Sequence, residues 1–256
     1  MKGILRSILI VGLIAMIATS GYYAFRTQDG YAAEANSHEK YMSFKPEVLS
    51  SPEVYLPGDS TFVPYINQDI LDLKALNEDV IGWITIPHTG IDYPFVQASD
   101  NSFYLHKDLS GNKATAGTIF MDYSNSQDFT DTNTILYGHH MKNGSMFASL
   151  KRFADKDFFE SNKKGTIFLL DKTYTVEFFA YLVIGTDDNV IYSIPDDSNS
   201  LLSYHSYIKE NARQYRETHF TKDDKVVTLS TCAYEFNNAR MVLLGRLSLS
   251  NSDEEI

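Results

Sequence analysis

The sequence predicts a mostly β domain, an antiparallel barrel or sandwich, with a helix at its N-terminal edge and another inserted between late strands. Three observations predict it. Short β-like runs follow one another at Trp83 to Ile86, Gly117 to Met121, Thr132 to Tyr137, Thr166 to Leu170, Thr173 to Ile184, Lys225 to Thr231 and Arg240 to Leu249, separated by Gly, Asn, Asp and Pro. Helical spacing appears twice, with Ile66, Ile70, Leu73, Leu76 and Val80 along Ile66 to Ile81, and again over Asn199 to Glu217. The 17 Tyr and 16 Phe suit half-buried pleated surfaces.

Length sets the organisation around that domain. A chain of 256 residues, 43% of them hydrophobic, holds one compact domain of about 150 to 200 residues plus extensions. Ser7 to Phe25 carries no charge for 19 residues, long enough as a helix to span a hydrocarbon core of about 30 Å. Lys2 and Arg6 precede it and only Arg26 follows closely, which keeps the start cytoplasmic and exports the rest. The rival reading is a cleaved signal peptide with Ala33-Glu34-Ala35 as a loose cleavage site. Residues 1–26 are thus expected to be a single-pass membrane anchor. Residues 27–64, polar and carrying Pro46, Pro52, Pro57 and Pro64, are expected to be an extracytoplasmic linker, 65–250 the working domain and 251–256 an acidic tail.

Charge and cysteine usage exclude whole classes of function. A net charge of -11 without a basic stripe opposes the phosphate attraction on which nucleic-acid binding rests. One cysteine rules out an intrachain disulfide and any two- or four-cysteine metal site. Asp187-Asp188 and Asp253-Glu254-Glu255 lack the ligand spacing of a calcium loop and read as solvated surface, so the reading invokes neither metal nor cofactor.

The lone cysteine ends the strand Lys225 to Cys232, in which Val227 and Leu229 face one way while Thr228, Ser230 and Cys232 face the other. The next strand opens at Arg240 after a short loop, so a hairpin sets Cys232 and Arg240 about 5 Å apart across one pair. A guanidinium there favours a thiolate and offers donors to a developing oxyanion; the bland alternative is an inert thiol near a surface arginine. Asn133 to Asn143 ends a strand in Gly138-His139-His140, and imidazole is the usual proton partner of a catalytic thiol. Adjacent strand residues point oppositely, so one of the two histidines faces the groove, and the residues alone do not say which. A zinc site is the rival for the pair, without the acidic or thiol ligands it needs.

Thr228-Leu229-Ser230-Thr231-Cys232, Arg240 a loop later and Tyr137-Gly138-His139 together resemble the signature of the sortase family. Asp79 to Ile84, Asp100 to Leu105, Gly117 to Phe120, Tyr137 to Met141 and the late inserted helix are similar to class B sortases, over roughly residues 65 to 249. The resemblance implies a closed sortase β-barrel with an N-terminal helical extension. It implies a cysteine transpeptidase that cleaves a C-terminal sorting signal of secreted proteins and passes the acyl group to a cell-wall amine or a pilin lysine. It implies Cys232 as nucleophile, His139 as acid and base because it follows Gly138 directly, and Arg240 at the oxyanion, with Arg246 as the alternative arginine. Ser230 and Thr231 are expected to line the groove, with Asn101 and Tyr104 as further substrate-binding candidates. His38, His88, His106, His205 and His219 are read as surface or packing residues. The class favours Asn-Pro-x-Thr-like signals. The competing functions are a thiol protease that hydrolyses its acyl-enzyme, and a catalytically silent surface binding domain, against which the presence of Cys232, His139 and Arg240 together speaks.

Overall fold

Residues 2–47, 65–195, 198–233 and 238–250 are described by the computed structural model. In chain order they form α1 (Lys2–Met42), α2 (Gln68–Leu76), β1 (Val80–Thr85), β2 (Asp92–Val96), β3 (Ile119–Met121), β4 (Asn133–Tyr137), α3 (Lys156–Ser161), β5 (Lys164–Leu169), β6 (Thr173–Gly185), α4 (Ser198–Asn211), β7 (Gln214–Tyr215), β8 (Lys225–Cys232) and β9 (Ala239–Leu249). The chain divides into two units, residues 1–40 and 41–256.

The first unit is α1 up to Lys40, with Ile10, Val11, Leu13, Ile14, Met16 and Ile17 exposed. The helix does not stop at residue 26. No proline interrupts the chain before Pro46, and Ala32, Ala33, Glu34 and Ala35 favour helix, so it continues to Met42 through the first part of the expected linker. The remainder of that linker, 48–64, and the tail 251–256 lie outside the described residues. Among the described residues no helix is long and apolar enough to cross a membrane.

In the second unit the strands run β5-β1-β2-β3-β4-β8-β9-β6, and β5 pairs again with β6, which closes an eight-stranded barrel with short β7 added beside β6. Pairing is antiparallel except at β2–β3 and β4–β8. Much of the wall is buried on both faces. On the outside, α4 lays Leu201, Tyr204 and Ile208, at helical spacing, over Val226 of β8, Val242 and Leu244 of β9 and Phe179 and Leu182 of β6. Each fully buried side chain of this kind contributes about 1.5–3 kcal/mol of transfer free energy. On the other flank, α2 adds Ile70 and Leu73 to a cluster with Val80, Trp83, Val96 and Phe120.

Several expected boundaries move, each for a local reason. The helix read to Ile81 ends at Leu76, because Asn77 caps it through its N–H to Leu73, and its side-chain oxygen accepts from Asp79 N, turning the chain into β1. β2 was not foreseen because Pro94 sits in its middle. It is tolerated there because β3 pairs with β2 only at Phe95 and Val96, leaving no ladder partner for Pro94 on that side. Gly117 has a φ of 62° and belongs to a turn, so β3 starts only at Ile119. The late helix ends at Asn211, and Gln214 and Tyr215 pair with β6 instead.

Candidate active site

Alternation along β8 puts Val226, Thr228, Ser230 and Cys232 on the outer face of the barrel, where Val226 meets α4. Antiparallel β9 pairs Val242 with Ser230 and Arg240 with Cys232, so Arg240 shares that face at its open end. Parallel β4 pairs Ile135 with Thr228 and Tyr137 with Ser230, and Gly138 N extends the ladder by donating to Ser230 O at 3.1 Å. His139 therefore follows at the level of Cys232. The structure brings the three sequence-predicted residues to one end of one face, from three adjacent strands.

Gly138 is needed for this. A Cβ at that position would sit 2.5 Å from Ile119 Cδ1 and 2.8 Å from the fully buried Phe147 ring, so any side chain displaces the strand end that carries His139. Beyond Cys232, Ala233 N donates to Ala239 O at 2.9 Å and closes the β8–β9 hairpin, with Asn238 at a φ of 62° turning the chain. The loop residues 234–237 lie outside the described residues.

Each of the three residues has a distinct setting. Cys232 is half-buried. Arg240 donates from Nη1 to Ala239 O at 3.2 Å, and among the described residues it forms no ion pair. His139 Nε2 lies 2.8 Å from Leu105 O, and since a carbonyl only accepts, Nε2 carries the hydrogen. The ring of His106 stacks on that of His139, 5.5 Å between centroids and 23° between planes. His106, expected to be a surface or packing residue, is exposed and packs its ring against that of His139. The turn that supplies both contacts is pinned by Thr118 N to Tyr104 O, Ala114 N to His106 O and Thr118 Oγ1 to Lys107 O. Gly117 lets the chain pass close, since a Cβ there would lie 2.5 Å from Leu105 O.

Tyrosines line the same face. Tyr192 and Ser230 share a hydroxyl hydrogen bond of 2.8 Å, and the Tyr192 ring lies 6.2 Å from that of Tyr137. Tyr137 donates to Asp122 Oδ2 at 3.0 Å. Burial, then the negative field of Asp122, pushes the Tyr137 hydroxyl well above its ordinary pKa; burial raises Tyr192 as well, and the nearby Arg240 pulls both the other way. Burial also opposes ionisation of Asp122, but donation from Ser124, Asn101 and Tyr137 outweighs it and holds the carboxyl below the usual range.

The other sequence candidates take different places. Ser230 lies on the same face as Cys232 but is buried, its hydroxyl committed to Tyr192. Thr231, one residue from Cys232, points to the opposite face, and its buried Oγ1 has no hydrogen-bond partner among the described residues; the alternation of β8 already separated it from the groove. Asn101 bridges Asp122 Oδ2 at 2.8 Å and Tyr123 N at 3.0 Å, one step behind Tyr137. Tyr104 is 3% exposed and does not line a groove: its hydroxyl donates to Asp79 and accepts from Asn77 inside the α2 cluster, which corrects its reading as a substrate contact. Arg246 stands six residues along the same strand, paired with Glu177 at 2.9 Å and Asp224 at 3.8 Å, and so is tied down far from the thiol.

A sortase domain model matches residues 84–248. The chain is 39% identical to sortase B of Listeria monocytogenes over 184 residues, 71% of this chain and 75% of the relative. The crystal structure of sortase B from Bacillus anthracis in complex with AAEK1 superposes with a TM-score of 0.73 at 31% identity, covering 86% of this chain and 99% of that one. A Staphylococcus aureus sortase B–substrate complex superposes with a TM-score of 0.67 at 27% identity, covering 72% of this chain and 86% of that one.

Proposed function

The chain belongs to the sortase family, whose members are cysteine transpeptidases, and we propose that Cys232, His139 and Arg240 are its catalytic set. The observation that carries this reading is the register: Cys232 opposite Arg240 in β8–β9, with His139 following Tyr137 at the next level of β4–β8. The substrate is a secreted protein with a C-terminal sorting signal, of the Asn-Pro-x-Thr type that the class favours.

In the proposed cycle the Cys232 thiolate attacks the scissile carbonyl, and the guanidinium of Arg240 faces the oxyanion that forms. The C–N bond then breaks as the His139 imidazolium gives its proton to the leaving amine, and a thioester remains on Cys232. An incoming cell-wall or pilin amine attacks the thioester, returns a proton to the imidazole and releases the thiolate. Because Nε2–H is held by Leu105 O, Nδ1 is the nitrogen that gains and loses the proton. Hydrolysis is the same cycle with water in place of the amine. The test incubates the protein with a sorting-signal peptide and a primary amine and resolves products by mass spectrometry; ligated product lost in Cys232→Ala supports the reading, and retained ligation in that variant overturns it.

We further propose that residues 1–26 anchor the enzyme in the membrane with its catalytic domain outside, a reading that rests on the uncharged run Ser7 to Phe25 and its flanking Lys2 and Arg6. Removing residues 1–26 is expected to leave peptide ligation in solution unchanged and to release the protein from membranes on fractionation; a full-length chain found soluble in cells overturns it.

A further inference from the structure

Cys232 stands where a strand runs out of partner, and its backbone shows how the gap is closed. The peptide unit joining Cys232 to Ala233 turns its N–H toward β9, where it meets Ala239 O at 2.9 Å. In a trans peptide the carbonyl points the opposite way, so Cys232 O faces the β4 side, as Ser230 O does in accepting from Gly138 N. If the parallel ladder continued, the next donor to Cys232 O, two residues after Gly138, would be the backbone N–H of His140. The chain leaves the sheet first: His139 O accepts from Phe147 N at 3.0 Å, and His140 forms a bridge with Met146. The donor comes instead from the side chain of the same residue, with His140 Nδ1 2.8 Å from Cys232 O. A carbonyl only accepts, so Nδ1 carries the hydrogen.

We propose that His140 is a positioning residue, its imidazole replacing the missing ladder hydrogen bond and holding the backbone of the nucleophile in register. The inference rests on Cys232 being the nucleophile. It divides the Gly-His-His motif between two tasks, proton transfer at His139 and backbone clamping at His140. A buried or half-buried carbonyl left without its donor recovers one by shifting, and a shift of about 1 Å at an attacking atom is enough to cost up to about a hundredfold in rate.

The test uses the full chain in mild detergent with three variants. His140→Ala is expected to lower kcat for peptide ligation by about tenfold while KM for the sorting-signal peptide changes little. His140→Asn, whose amide nitrogen occupies the place of Nδ1, restores most of the rate; His140→Gln, whose amide reaches the place of Nε2, does not. The chain has a single cysteine, so the rate of iodoacetamide labelling reports on Cys232 alone and is expected to follow the same order. Wild-type kcat in His140→Ala, or rescue by Gln equal to rescue by Asn, overturns the proposal, and if His140→Ala fails to fold the Asn and Gln pair decides. The two readings fail separately: ligation by Cys232→Ala removes the nucleophile, whereas an inactive Cys232→Ala beside a fully active His140→Ala removes only the clamp.

Discussion

The two ends of the β8–β9 hairpin carry the same residue in opposite circumstances. At one end Arg240 lies across from Cys232, with a backbone carbonyl as its hydrogen-bond acceptor and, among the described residues, no ion pair. At the other, Arg246 lies across from Val226 and is held by Glu177 and Asp224. Both arginines share one strand, one face and one sequence neighbourhood, so side-chain type does not separate them. The difference is where the charge is spent. Arg246 is paired in the resting protein and acts as a tie between β9, β6 and the turn before β8, while Arg240 has no ion-pair partner among the described residues, which suits the oxyanion role proposed for it.

That contrast can be broken in order of effect. Cys232→Ala removes the only thiol and is expected to abolish ligation while circular dichroism stays unchanged, since only a half-buried Sγ is lost. Arg240→Ala should reduce kcat/KM by about 10² to 10³, equivalent to roughly 3 to 4 kcal/mol, and Arg240→Lys by at least about tenfold, because an ammonium lacks the planar fork. Near-wild-type kinetics in Arg240→Ala would erase the distinction between the two arginines.

Asp122→Asn addresses the support behind the end of the face that carries Cys232. Its Oδ2 accepts from Asn101 and Tyr137, and an amide nitrogen turned toward either donor would leave a hydrogen bond unmade, at a cost of about 1–3 kcal/mol in denaturant titrations. The sign with pH follows from the depressed carboxyl. Its stabilisation is fully present above the ordinary aspartate pKa of about 3.9 and is lost as pH falls through the lower folded value, so the gap between wild type and variant should narrow in acid. A gap that widens in acid would refute this. The smallest effect belongs to Arg246→Ala: its pair with Glu177 is about one-third exposed on each side, so screening leaves no more than about 1 kcal/mol of stability, with ligation unchanged. A large loss of activity there would mean that the far end of the hairpin matters to chemistry.

The site was more legible than the chain around it. Period-two alternation in Lys225 to Cys232 and a short loop before Arg240 are local signals, and they set both residues on one face with no knowledge of the remaining strands. The same alternation excluded Thr231 from the groove, a consequence the motif obscured. His106 and Tyr104 were less legible for the opposite reason: His106, on the surface as expected, also stacks on His139, whereas Tyr104 is buried. They lie two residues apart in one turn, and whether either reaches the site depends on how that turn packs against Gly117 and His139, which no periodicity encodes. β2 was hidden by Pro94, whose breaking tendency holds only where a neighbouring strand asks for its N–H. The histidine choice, left open by the residues themselves, turns on where β4 stops pairing, which is a property of two strands far apart in sequence.

That distance has a consequence for how the enzyme comes into being. The contact between His140 and Cys232 spans 92 residues and that between Asn133 and Thr228 spans 95, whereas Cys232 and Arg240 are paired within the β8–β9 hairpin. Closing the longer loop carries the larger entropic cost and belongs to the slow part of folding. The pairing of Cys232 with Arg240 is thus local in sequence, whereas the histidines of the Gly-His-His run reach the level of Cys232 only through the long-range β4–β8 seam.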